Sequence, residues 1–163
     1  MLLPDEFSVG PLADAIPLTL VLPRSNYERH FLIGGTPEAP VGICVSSAQR
    51  YTAFHIAGNN AHKGMLIPNV RVEVDPVSMF NPDNVDAPLG AMVRRGTIFG
   101  IMAKMDGFYS GQVVPLVSGL AEARDGYAVG FQHWTVTLGT GESRRVLFEV
   151  DLTEPQDRAI LGQ

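Results

Sequence analysis

Cysteine occurs once, at position 44. A lone thiol excludes an intramolecular disulfide and any clustered-cysteine zinc or iron–sulfur site. It accords with a reducing compartment, and the expected location is cytoplasmic. Lysine occurs only at positions 63 and 104, so arginine supplies nearly all the positive charge, and the net charge is −5. No stretch gathers the basic run that would track a phosphate backbone, and nucleic acid is not an expected partner. Long apolar runs are missing as well. The longest, Pro17 to Pro23 and Thr97 to Met105, fall far short of the about 20 residues that a helix needs to cross a bilayer. No membrane partner is expected. Asp5, Glu6 and Asp14 stand where a secretory signal would be apolar, so the protein is expected to stay inside the cell.

Also lacking is any long apolar stripe of 3.6-residue period. Short helical segments are expected only at Pro11–Ile16, Val77–Phe80 and Gln156–Leu161. What the sequence does contain is alternation. Val70, Val72 and Val74 take one parity, and Arg71, Glu73 and Asp75 the other, which is the signature of a half-buried strand. Trp134, Val136 and Leu138 share a face; after Gly139-Thr140-Gly141-Glu142-Ser143, so do Val146, Phe148, Val150 and Leu152. This predicts a hairpin. Asp125-Gly126 predicts a second one, joining Leu120–Arg124 to Tyr127–Phe131 through a type I′ turn. Further strands are expected at Leu18–Leu22, His30–Ile33, Gly42–Ser46, Tyr51–Ile56, Thr97–Met105 and Gln112–Val117. Thr97–Met105 is apolar on both faces, which places it centrally. With 45% apolar and 18% charged residues in a chain of 163, one core is expected, and residues 1–163 read as a single β-rich domain. The fold class is all-β, mainly antiparallel, a β-sandwich or β-barrel with short peripheral helical segments.

Three irregular stretches bear on function. The loop from Pro76 to Gly90 is about fifteen residues long, a length often tied to function. Its Asn81, Asp83, Asn84 and Asp86 carry oxygen ligands of the kind calcium prefers, but not at the spacing of a calcium loop, and turn chemistry explains them better. No metal or cofactor is expected. Second, Tyr127, Val129 and Phe131 share one parity while Trp134, Val136 and Leu138 take the other. A β-bulge near Gln132-His133 would produce this shift and re-aim a side chain, which makes His133 a candidate. Third, the polar loop Gly58 to Gly64 follows a strand carrying His55. His55, Asn59, His62 and Lys63 could converge there on a ligand.

Catalytic motifs are absent. There is no Gly-x-Ser-x-Gly, no His-x-His and no full dinucleotide fingerprint around Gly139-Thr140-Gly141, and Cys44 lies in an apolar strand where thiols are inert. Glu73, Asp75, Glu149 and Asp151 alternate with apolar residues and read as a solvated outer face. Arg94 with Arg95, and Arg144 with Arg145, form pairs near strand starts that could grip an anion or salt-bridge neighbouring strands. The function expected from these features is a non-enzymatic accessory or partner-binding domain that self-associates as a homo-oligomer. The alternative is a small-molecule-binding protein or enzyme with a polar pocket at one end of the sheet, built from His55, His62 and His133 with an arginine pair.

Overall fold

The computed structural model describes residues 1–23, 29–47, 49–56, 63–83, 87–108, 110–122 and 128–153. Among these, the strands in chain order are β1 (Ser8–Pro11), β2 (Leu20–Pro23), β3 (Phe31–Gly35), β4 (Pro40–Cys44), β5 (Thr52–His55), β6 (Lys63–Ile67), β7 (Arg71–Val74), β8 (Met79–Phe80), β9 (Met92–Arg95), β10 (Ile98–Met105), β11 (Gln112–Val117), β12 (Val129–Phe131), β13 (His133–Leu138) and β14 (Arg145–Asp151). Among the described residues, complete 3-10 turns occur at Leu12–Asp14, Pro76–Ser78 and Gly141–Ser143, and Ile56 also takes 3-10 geometry. The first two overlap the segments expected at Pro11–Ile16 and Val77–Phe80, although Pro11 closes β1 and Met79–Phe80 form β8 instead of helix; Gln156–Leu161 lies outside the described residues.

The strands form two open sheets. The large one runs β1-β6-β2-β3-β4-β5-β10-β9-β12-β8, with β11 on the other edge of β10, and the small one runs β14-β13-β7. All pairings are antiparallel except β5 with β10, where Thr52 and Ala53 meet Lys104 and Met105. The sheets do not close into a barrel, and the layered alternative describes them better. β10 is central, as its two apolar faces require, and β11 folds over β3. There a methyl on Gly34 would come within 2.6 Å of the Pro115 carbonyl oxygen, so only glycine allows the approach.

Period-2 alternation sorts the core into two layers. Leu20, Leu32 and Ile67 face the main core, together with Ile43, Met92, Ile101, Val114, Leu116, Trp134, Val136 and Val150. Their neighbours Val21, Ile33 and Leu66 point the other way, into a smaller cluster closed by Leu12, Ala15 and Ile56. The 3-10 turn at Leu12–Asp14 thus caps the second face of the large sheet. At the centre of the main core, the Trp134 indole N–H donates to the Gly90 carbonyl at 2.8 Å. Gly90 has φ +91°, and a Cβ there would fall within 2.7 Å of three carbons of the Tyr51 ring. One carbonyl therefore joins β13 of the small sheet to the segment entering β9, while Tyr51, at the start of β5, packs against the same residue.

Three expectations are corrected. The parity shift at Gln132 is not a bulge: β12 ends in the large sheet at Phe131 and β13 begins in the small one at His133. The strand changes sheets, and its alternation restarts with a different core to face. A bulge does occur, but in β14, where the register slips between Val136 opposite Phe148 and Thr137 opposite Val146. This turns Val146 out to 50% exposure, while Leu147 packs against the main core. Finally, β12 pairs with β8 and β9, and Leu120–Glu122 form no strand, so the second hairpin is not formed as expected. Its Asp125-Gly126 turn lies outside the described residues.

Gly90→Ala, which forces a methyl into the Tyr51 ring at a left-handed φ, is expected to destabilise by about 2 to 5 kcal/mol in urea denaturation. A shift under about 0.5 kcal/mol would contradict the close packing. The Thr19 hydroxyl is buried and finds no partner among the described residues. Thr19→Val is therefore expected to hold or raise stability, by up to about 1 kcal/mol.

Candidate functional site

The chain crosses between the two sheets twice at one place, once leaving the small sheet and once entering it. β7 passes through the Pro76–Ser78 turn into β8, and β12 passes through Gln132 into β13. Because β7 pairs with β13 and β8 with β12, the two strands turn the corner together. Ser78 stitches them: its hydroxyl donates to the Asp75 carbonyl at 2.8 Å and accepts from the His133 amide at 3.0 Å. The Asp75 carboxylate in turn accepts from the Val77 amide at 2.9 Å, and Gln132 N–H donates to the Ser78 carbonyl.

On the outer face of this corner, the His133 ring lies between two carboxylates. Nδ1 is 3.1 Å from Asp75 Oδ2, and Nε2 is 2.6 Å from Glu149 Oε1. A neutral imidazole has one N–H, so it can satisfy only one of two carboxylates; both contacts together require the imidazolium. The Glu149 contact, followed by that of Asp75, raises the His133 pKa against an opposing effect of burial. The Asp75 carboxyl is held below its usual range by the Val77 amide first and His133 second. Asp151, opposite His133 in register, is lowered by its bond from the Thr153 hydroxyl.

Beside this triad runs a groove of about 290 Å³ lined by Glu73, Val74, Asp75, His133, Trp134, Thr135 and Arg144. Arg144 closes one side by gripping Glu73, at 2.8 Å from Nε and 2.7 Å from a terminal nitrogen, which lowers the Glu73 pKa. Every ionised group lining the groove thus has a partner across the strands. A general base needs a free lone pair and a nucleophile needs an adjacent base; in this groove both His133 ring nitrogens are already engaged by carboxylates. This arrangement suits cross-strand ion pairing better than proton abstraction.

Among the described residues, the remaining candidates are not brought to this corner. His55 lies on β5 and Lys63 on β6, with β2, β3 and β4 between them in the sheet. Asn59 and His62 lie outside the described residues, as do Asn84 and Asp86. Arg94 donates to the Ala121 carbonyl, Arg95 pairs with Asp83 at 3.4 Å, and Arg145 grips Glu6 near the N-terminus. The two arginine pairs therefore form no common fork. Asn81 accepts from the Asp83 amide at 2.9 Å, an Asx turn of the expected kind. No group of three metal-binding side chains occurs among the described residues. Cys44 is buried, its thiol on the Ser46 carbonyl.

A family model described as "Uncharacterised protein y4lG" matches residues 9–158. The chain belongs to the y4lG family. A relative from Sinorhizobium fredii (strain NBRC 101917 / NGR234), "Uncharacterized protein y4lG", is 36% identical over 149 residues, or 91% of this chain and 92% of its own. The span matched to the y4lG family runs from β1 to past β14, so the sheet-switch corner lies inside it. No solved structure matches the chain. Among the described residues, no helix is long and apolar enough to cross a membrane.

The raised His133 pKa makes its contribution to stability complete below the unfolded value of about 6.5, and lost as pH rises through the folded value. Asp75 and Glu73, with lowered values, contribute above their unfolded values and lose that contribution as acid protonates them. Between about pH 6 and pH 9, the melting temperature of the wild type is expected to fall relative to that of His133→Gln. Parallel curves would contradict the ion-paired histidine.

Proposed function

We propose that this y4lG-family protein is a non-enzymatic, cytoplasmic module that self-associates through the edge of the large sheet at β8, which pairs with no strand beyond β12 among the described residues. The observation that carries the reading is the end of the large sheet. β8 is its terminal strand, and Val77 and Met79 beside and within it are 93% and 61% exposed. β8 is only two residues long, so the contact rests chiefly on these two exposed apolar side chains, with the few unpaired backbone groups of the edge beside them. A second copy adding its own β8 in an isologous pairing would cover both side chains.

The rest of the described molecule supports the same reading. Its core is filled by large side chains with no exposure, Trp134, Leu32, Ile33, Met92 and Ile101 among them, and its histidine candidates are dispersed or held in ion pairs. The lone, buried thiol of Cys44 favours the cytoplasm.

Sedimentation across about 1 to 100 μM is expected to give a dimer or larger closed assembly that Met79→Lys converts to monomer. A monomer at every concentration would remove the proposal, as would an assembly indifferent to the lysine.

A further inference from the structure

We propose that the sheet-switch corner is a proton-operated latch: His133 ties β7 to β14 across β13 while it carries both ring protons, and releases one arm when it loses one. The geometry supplies each part. Asp75 is the last residue before the Pro76–Ser78 turn, and its carboxylate holds both the turn, through the Val77 amide, and His133. Glu149 reaches the other ring nitrogen from β14. Leu152 N–H, just beyond β14, donates to the Gln132 carbonyl at 2.9 Å, so the backbone on the β14 side is bonded to the residue at which the chain changes sheets.

The charges around the ring make its second proton consequential. Asp75 faces it from just beyond β7, and Glu149 and Asp151 face it from β14; Ser78, on the turn, contributes only neutral bonds. Arg144, which lines the same groove, is committed to Glu73. Three carboxylates around an imidazolium leave a net −2, and around a neutral imidazole −3. Removing one proton thus leaves one carboxylate without its donor and strengthens the repulsion among all three. The side chains are partly solvated, with His133 at 26%, Asp75 at 39% and Glu149 at 58% exposure, so the released arm can turn to water without unfolding the core. The main core, on the opposite face of the same strands, has no titrating group in this contact and stays closed. The expected response is local: the turn and the start of β13 loosen while Trp134 and its neighbours remain protected.

The test combines ¹⁵N spectroscopy of the His133 ring with residue-level amide exchange, corrected for the intrinsic pH dependence, on the full chain. The ring is expected to keep its imidazolium signature above the usual histidine midpoint. As it titrates, the amides of Val77, His133 and Leu152 are expected to lose about tenfold in protection, while that of Met102 in β10 is unchanged. In Glu149→Gln, which retains an acceptor but removes the charge, the ring midpoint and the loss of protection are expected to move together to lower pH. Asp75→Asn gives the same test from the other arm if the first variant does not fold. An ordinary midpoint, corner amides that follow Met102 across the titration, or a ring midpoint that moves without the exchange profile would each overturn the latch.

Discussion

One carbonyl oxygen organises the interior. Gly90 presents it to the indole N–H of Trp134, the chain's single tryptophan, while its own backbone packs against the Tyr51 ring without room for a methyl. The hydrogen bond itself adds only about 1 kcal/mol net, whereas truncating a fully buried tryptophan to alanine costs about 3 to 5 kcal/mol. The apolar surface therefore supplies most of the energy, and the bond sets direction. An indole turned the wrong way would leave both an N–H and a carbonyl unpaired in the core, at about 1 to 3 kcal/mol each. The small sheet is thereby fixed on the large one in one orientation.

The corner at Ser78 and His133 follows from that arrangement. Because β13 must bury Trp134, Val136 and Leu138, its other face carries His133 and Thr135, and the flanking strands present Asp75, Glu73, Glu149 and Asp151 beside them. Residues with no place in the core thus become a cross-strand charge array at the point where two paired strands change sheets. The array is structural first. Any response to pH is a consequence of placing one titrating cation among three carboxylates at a bend.

Much of the fold was legible in the alternation of Val70–Asp75 and Trp134–Leu138, because a half-buried strand writes its two faces directly into the sequence. The apolar run Thr97–Met105 likewise announced a central strand. The unread strands were of other kinds. Lys63–Ile67 and Met92–Arg95 carry no clean alternation: the first opens with a residue assigned to a loop, and the second ends in an arginine pair that drew attention as a possible anion grip. β8 is two residues long and sat inside a presumed loop. The parity change at Gln132 was a true signal with two physical causes, a bulge or a change of sheet, and period alone does not distinguish them. The bulge in β14 left no mark, since Val146, Leu147 and Phe148 are all apolar and either phase satisfies the pattern; the same holds for the register slip between β10 and β11, at Phe99 opposite Val117 and Gly100 opposite Pro115. His133 was singled out by the parity change; its partners were visible as outer-face acids, but the pairing needed the register of three strands. Convergence of His55, Asn59, His62 and Lys63 rested on closeness in sequence, and the sheet separates His55 from Lys63 by three strands.

Locked at Trp134, the two sheets are expected to unfold as one cooperative unit, and hydrogen exchange of the indole N–H measures this most directly. With one tryptophan there is one indole signal to follow. This proton is expected to exchange only through global unfolding, so that its protection equals the stability obtained from denaturant titration. Exchange much faster than that limit, with β10 amides still fully protected, would mean that the small sheet lifts off by itself and would contradict the lock.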